Sequence, residues 1–239
     1  MDYDTFIAGK WHLGPENMAG KRGYDHWMLT RDNAAPSHEN PNNFIRNGST
    51  LGELTGFSCD ILVNEAISWM NGRNSQNPFF MVVNFHNTHV PIGNAPFYLN
   101  MYAGDPHAEY YANATHMDAS IGKFLAELET RGYTQNTIVI FTSDNGPARE
   151  LQYGGAVNAF GTPGGLRSLK RRMYDGGLRV PAIIRWPGHI TPNTRTYEPA
   201  SLMDIFPTLA SIAGASLPQN VVIDGIDLSP LFERKKIKI

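Results

Sequence analysis

Pro78-Phe79-Phe80-Met81-Val82-Val83-Asn84-Phe85-His86-Asn87-Thr88-His89 is the stretch on which the architecture turns. Its apolar run from Phe79 to Phe85, opened by a proline, has the character of a strand covered on both faces, and such strands belong to parallel sheets flanked by helices. The flanks agree. Upstream, Asp60 to Asn71 sets Ile61, Leu62, Ala66, Trp69 and Met70 near one helical face, with Asp60 placed to cap the first turn. Downstream, Glu109 to Thr130 carries Met117, Ile121, Phe124, Leu125 and Leu128 at helical spacing, and Gly132 follows where a helix stop is expected. Further strands are predicted over Thr5 to Ala8, Thr137 to Thr142 and Val180 to Arg185, and a helix over Met203 to Ala213 with Pro207 in its first turn or at a kink. Residues 31 to 58, rich in Asn, Gly, Pro and Ser and without periodicity, read as a long loop, and long loops in compact domains are often functional. Strands alternating with helices in this way predict βαβ units, a mainly parallel sheet and an α/β fold.

The ends of the apolar runs carry the chemistry. In an open α/β sheet, ligands bind outside the carboxyl ends of the strands. One run passes into Lys10 and His12, the second into His89, and the third into Asp144 and Asn145, so the three ends suggest one shared site. Lys10 and His12, two apart on an extended segment, point the same way and can reach one anion. His86 competes with His89 but lies at the strand edge, which favours a structural role. Asp144-Asn145-Gly146 read alone is a strand-closing turn; placed after a buried strand, its carboxylate and amide oxygens can face one hard cation. Lys170 lies in a basic segment, Leu166 to Gly177, whose plain reading is a solvated loop. The pairs Gly154-Gly155 and Gly164-Gly165 lack dinucleotide-fingerprint spacing, which argues against nucleotide binding.

Composition narrows the partners. Lys and Arg total 20 against 22 Asp and Glu, for a formal net charge of −2, so nucleic acid is not an expected partner and an anion must be met by a local cluster. Cys59 is the single cysteine, which rules out an intrachain disulfide framework. The sequons at Asn47 and Asn113 are at the level an Asn-rich chain yields by chance. No apolar stretch approaches membrane-spanning length, and residues 1 to 15 show no signal-peptide pattern.

Taken together, Gly9-Lys10-Trp11-His12-Leu13-Gly14, Thr88-His89-x-Pro91, Ser143-Asp144-Asn145-Gly146 and Lys170 ahead of Asp175-Gly176-Gly177 resemble the type I sulfatase family. Order and spacing are similar to arylsulfatase A and N-acetylgalactosamine-6-sulfatase members. The run Arg179-Val180-Pro181 to Trp186-Pro187-Gly188 and the stretch Met203-Asp204-Ile205-Phe206-Pro207-Thr208-Leu209 extend the likeness over nearly the whole chain. The resemblance implies an alkaline-phosphatase-like α/β/α sandwich and hydrolysis of sulfate esters on a sulfated sugar or an aryl sulfate. It implies a formylglycine nucleophile and a divalent cation, usually calcium, with Asp144 and Asn145 as metal ligands. Lys10, His89 and Lys170 would hold the sulfate, and His12 would orient the formylglycine diol and assist proton transfer. A secreted, lysosomal or periplasmic address follows from the same likeness.

Departures shape the expectation. The family's nucleophile lies in a Cys-or-Ser-x-Pro-x-Arg motif, which residues 1 to 239 do not contain; Cys59 is followed by Asp60-Ile61-Leu62, and Ser216-Leu217-Pro218 has no arginine in place. The family's paired N-terminal aspartates are likewise not found, Asp2 stands where Gly is usual, and Asp175 where Glu is usual. The reading is therefore a sulfatase catalytic domain over residues 1 to 239, truncated at both ends, with residues 215 to 239 opening a C-terminal region. Such a chain is expected to be inactive alone and to associate through exposed edges. A sulfated-glycan-binding pseudoenzyme and a phosphomonoesterase or phosphodiesterase of the same superfamily are the alternatives.

Overall fold

The computed structural model describes residues 2–15, 19–73, 76–148 and 161–232. Two compact units emerge, one of Asp2–Thr130 and Asn145–Arg179, the other of Arg131–Asp144 and Val180–Ile239.

In the larger unit, strands β1 (Asp4–Lys10), β2 (His26–Thr30), β3 (Ile45–Arg46), β4 (Ser49–Thr50) and β5 (Phe79–Asn84) form a sheet in the order β4-β3-β2-β1-β5. β1 lies at its heart, parallel to β2 and to β5, with β3 and β4 added antiparallel at one edge. Alternation along β1 feeds two cores. Phe6 and Ala8 pack with Met28, Phe44, Leu62 and Ala66, whereas Ile7 packs with Trp11, Trp27 and Leu29. β2 is absent from the strands the sequence predicts; its five residues are too short a run to show a period beside the Gly- and Asn-rich segments around it. β5 is half-buried rather than covered on both faces, because its described partner is β1 alone.

Two helices, α1 (Ser58–Gly72) and α3 (Ala108–Thr130), pack on each other, and α1 also lies against β1; a short α2 (Pro96–Asn100) packs on α3, and α4 (Asp175–Leu178) is a single turn. Asp60 does not cap α1. The N-cap is Phe57, without a side-chain cap bond, and the Asp60 carboxylate instead takes His116 Nε2 at 2.7 Å and the Ser120 hydroxyl at 2.7 Å from α3. This explains why the buried stripe of α3 differs from the apolar one predicted. Ala112, Asn113, His116, Ser120 and Leu128 are buried, because the facing surface offers the Asp60 carboxylate to His116 and Ser120 and the Asn87 amide and Gly93 carbonyl to Asn113. Asn113 is 1% exposed and its amide donates to the Gly93 carbonyl, so the sequon there is inside the fold.

In the smaller unit, β6 (Val139–Thr142) and β7 (Ala182–Arg185) pair antiparallel, not parallel as the alternating pattern suggests. Both are only partly buried, as suits an antiparallel pair with one wetted face. Helix α5 (Ile205–Ala213) follows a 3-10 turn whose Ser201 and Asp204 form a reciprocal capping box. Pro207 falls in the first turn of α5, where its missing N–H costs nothing. The Asp204 carboxylate also accepts from Ile226 N–H, and Thr208 Oγ1 accepts from Leu228 N–H, which tie the segment leading to α6 (Ser229–Phe232) back onto α5. No described helix is long and apolar enough to cross a membrane.

Candidate active site

Parallel pairing of β1, β2 and β5 aligns their carboxyl ends, and side chains from all three meet there. Gly9 is at φ 109°, and a Cβ at that position would fall 1.9 Å from the Asn84 carbonyl oxygen, so only glycine lets β1 run this close to β5. Asn84 Nδ2 then donates to the Lys10 carbonyl at 3.0 Å, and Lys10 is in register with Thr30. Lys10 is thereby pinned at the rim. The backbone turns soon after. His12 has φ 53°, so the extended segment that would align it with Lys10 stops short of it, and its Nε2 sits 3.3 Å from Asp32 Oδ1, both side chains exposed.

Lys10 and His89 are brought together through a residue the sequence reading leaves unnamed inside its long loop. Lys10 Nζ donates to Asn33 Oδ1 at 3.0 Å, and Asn33 Nδ2 lies 3.0 Å from His89 Nδ1. The Val90 carbonyl is 2.8 Å from the same ring nitrogen. Asn33 is itself braced, for Asn43 Nδ2 donates to its carbonyl at 2.8 Å and Asn43 Oδ1 accepts from Ala35 N–H at 3.0 Å. Beneath them His86 is buried and bonds Thr30 Oγ1 at 2.8 Å. Burial, reinforced by the charges of His38, Lys10 and His89, lowers the His86 pKa to about 3, and burial lowers that of His38 to about 4. Both rings are neutral near pH 7. The positive charge is left to the groups at the rim.

Asn145 and Lys170 share a second piece of the same unit. Gly146 N–H donates to the Gly177 carbonyl at 2.9 Å, and Lys170 N–H donates to the Pro147 carbonyl at 2.8 Å. The glycines are obligatory here. A Cβ on Gly146 would sit 2.0 Å from the Gly176 carbonyl oxygen, and one on Gly176 would sit 2.1 Å from that of Ser168. This close backbone packing wraps residues 167–172 around the buried Gly176-Gly177 turn; Ser168, Leu169 and Lys170 are partly buried, and Arg171 and Arg172 are exposed. Asn145 Nδ2 donates to the Gly146 carbonyl at 2.9 Å, which commits the amide nitrogen there and suits an oxygen-side ligand role. Asp144 ends the smaller unit, next in sequence to Asn145. Gly154-Gly155 lies outside the described residues.

A separate cluster sits between α1 and α3. Cys59, Asp60 and His116 bring three metal-type donor atoms within 4.8 Å of one another. Burial pulls the His116 pKa down, but hydrogen bonds to Asp60 and Cys59 outweigh it and raise the value to about 9. Burial likewise pushes Asp60 up, and the bonds from His116 and Ser120 bring it below its ordinary value. The 2.7 Å contact is that of an imidazolium bonded to a carboxylate. This cluster is a staple between helices.

The Sulfatase family profile matches residues 1–215. The chain belongs to the sulfatase family. It is 33% identical to mouse N-acetylgalactosamine-6-sulfatase over 95% of its length and 46% of the relative's, and 38% identical to human arylsulfatase A over 96% and 49%. This sulfatase chain thus spans about half the length of the curated relatives it matches. Among solved structures, Ps i-CgsB in complex with k-i-k-neocarrahexaose superposes with a TM-score of 0.84 at 26% identity, covering 98% of this chain and 55% of that one. An alkaline phosphatase superfamily protein from Vibrio parahaemolyticus superposes at 0.61 with 20% identity, over 95% of this chain and 48% of that one, which speaks to the fold. The fold is the alkaline-phosphatase-like α/β arrangement.

Proposed function

We propose that residues 1–239 form the sulfate- and cation-binding part of a sulfatase that hydrolyses a sulfate ester on a sulfated sugar or an aryl sulfate. The observation that carries this is the joining of Lys10 and His89 through Asn33 at the carboxyl ends of β1, β2 and β5. A sulfate monoester spreads one negative charge over three oxygens, so its recognition needs several donors from separate segments. Charge-assisted hydrogen bonds from an ammonium and an imidazole are the strong kind. Neutral His38 and His86 behind them hold the loops without adding like charge. Lys170 completes the proposed donor set, and His12, its ring held beside Asp32, is proposed to orient the nucleophile and assist proton transfer.

For the cation, the donor set of Asp144 and Asn145 fits a hard ion such as calcium, being a carboxylate and an amide whose nitrogen is already committed to Gly146. Calcium takes about six to eight oxygens, so this pair supplies part of the shell. When bound, a divalent ion withdraws charge from the ester oxygens and from the nucleophile. The nucleophile itself is proposed to come from sequence outside residues 1–239, in keeping with relatives about twice as long.

Calorimetric titration of residues 1–239 with 4-nitrocatechol sulfate and, in parallel, with 4-nitrophenyl phosphate tests the reading. Preferential binding of the sulfate ester, weakened by Lys10→Ala and by Lys170→Ala and without release of 4-nitrocatechol, is the expected result. Preference for the phosphate ester would move the assignment to the phosphoesterases of the superfamily, and release of 4-nitrocatechol by residues 1–239 alone would overturn the proposed source of the nucleophile.

A further inference from the structure

We propose that Asn33 is a positioning residue that fixes the proton of His89 on Nε2, through an amide orientation dictated by Lys10. The argument starts from the group whose role admits no alternative, since an ammonium can only donate. The Asn33 atom 3.0 Å from Lys10 Nζ is therefore the oxygen. The other end of the amide is then an NH2 group, which only donates, and it lies 3.0 Å from His89 Nδ1. Nδ1 must accept. A neutral imidazole that accepts at Nδ1 carries its proton on Nε2.

A competitor stands next to it. The Val90 carbonyl, 2.8 Å from Nδ1, would draw the proton onto that nitrogen if it were left to choose. That choice would require the Asn33 amide to turn over and set its NH2 against the Lys10 ammonium, two donors facing each other. Lys10 thus decides the tautomer of a ring more than seventy residues away in sequence. The loop is built to hold this geometry, because Asn43 bonds both the Asn33 carbonyl and the Ala35 N–H. The functional consequence rests on the reading of Lys10 and His89 as anion donors: a proton on Nε2 gives that nitrogen a hydrogen bond to offer a sulfate oxygen, whereas a lone pair there would repel it.

The test is long-range 15N–1H correlation on labelled residues 1–239 at neutral pH, which distinguishes the two neutral tautomers, alongside titration with inorganic sulfate. Wild-type His89 is expected as the Nε2–H form. Asn33→Leu should switch it to Nδ1–H bonded to Val90, and Lys10→Met should do the same with Asn33 intact, by freeing the amide to turn its oxygen toward the ring. Asn33→Asp, whose carboxylate only accepts, should place a proton on Nδ1 while still satisfying Lys10, and needs no change of side-chain size. Sulfate affinity is expected to fall about threefold to tenfold in Asn33→Leu. An Nδ1–H form in the wild type, or a tautomer unmoved by Lys10→Met and Asn33→Asp, would overturn the inference. Tautomer switches as expected with no sulfate binding to any form would leave the positioning role standing and sink the anion-site reading.

Discussion

Two polar clusters in the larger unit are made of similar residues and are organised in opposite ways. Between α1 and α3, His116 and Asp60 balance each other, Ser120 takes the second carboxylate oxygen, and Tyr98 stacks on the imidazole with ring centroids 4.4 Å apart. At the carboxyl ends of the parallel strands, Lys10 and His89 meet across a neutral amide, with no carboxylate among the groups that bridge them. Matched charge between helices holds elements together. Lysine and histidine joined through an amide at a sheet rim are proposed here to receive an anion. Histidine thus serves stability between the helices, and at the rim its proposed service is recognition.

Perturbing each cluster should separate these roles. The largest effect is expected at Gly9, which belongs to the rim by position but to the fold by packing. Gly9→Ala sets a Cβ against the Asn84 carbonyl at a positive φ and should cost about 3 kcal/mol or more, or prevent folding, as read by chemical denaturation. Asp60→Ala comes next. It strands a buried imidazolium and a buried hydroxyl together, and a loss of about 2–3 kcal/mol is expected once the partial exposure of the carboxylate is allowed for. If the comparison is right, Asp60→Ala leaves sulfate-ester affinity unchanged at a temperature where the protein is folded, and Lys10→Ala leaves stability within about 0.5 kcal/mol.

Acidity gives a finer separation. His116 has its pKa raised from 6.5 to about 9, so its contribution to stability is complete below pH 6.5 and drains away as pH rises through 9. On the acid side the signs reverse for the rings under the rim. His38 and His86 are held neutral, with values lowered to about 4 and about 3, so the unfolded chain takes up protons first and stability falls as pH drops below 6.5. Melting temperature against pH should show both limbs; His116→Gln should flatten the alkaline limb and remove Asp60's share of the acid limb, leaving the share of His38 and His86.

How much of this is legible from residues alone depends on how far apart the partners lie. The apolar run of β5 and the short run of β1 announce themselves, and the rule that ligands gather at the carboxyl ends of such strands leads directly to Lys10 and His89. β2 does not announce itself, since five residues in a Gly- and Asn-rich neighbourhood carry too little pattern, and with β2 hidden the loop bearing Asn33 has no visible origin. Asn33 is one asparagine among many until the fold lays it between an ammonium and an imidazole. His12 misleads for a related reason, because alternation assumes an extended backbone and the chain turns to φ 53° at that residue. The polar stripe of α3 is hidden likewise, since His116 and Ser120 look like a solvated face until Asp60 is found opposite, and Asn113 until Asn87 and Gly93 are.

The rim cluster, and not the helix staple, is the proposed anion site. Titrating residues 1–239 with 4-nitrocatechol sulfate in wild type, Lys10→Ala, His89→Ala and His116→Gln forms tests it most directly. Affinity is expected to fall about tenfold in each rim variant, as for loss of one charge-assisted hydrogen bond, and to stay unchanged in His116→Gln. Equal affinity in wild type, Lys10→Ala and His89→Ala would contradict it.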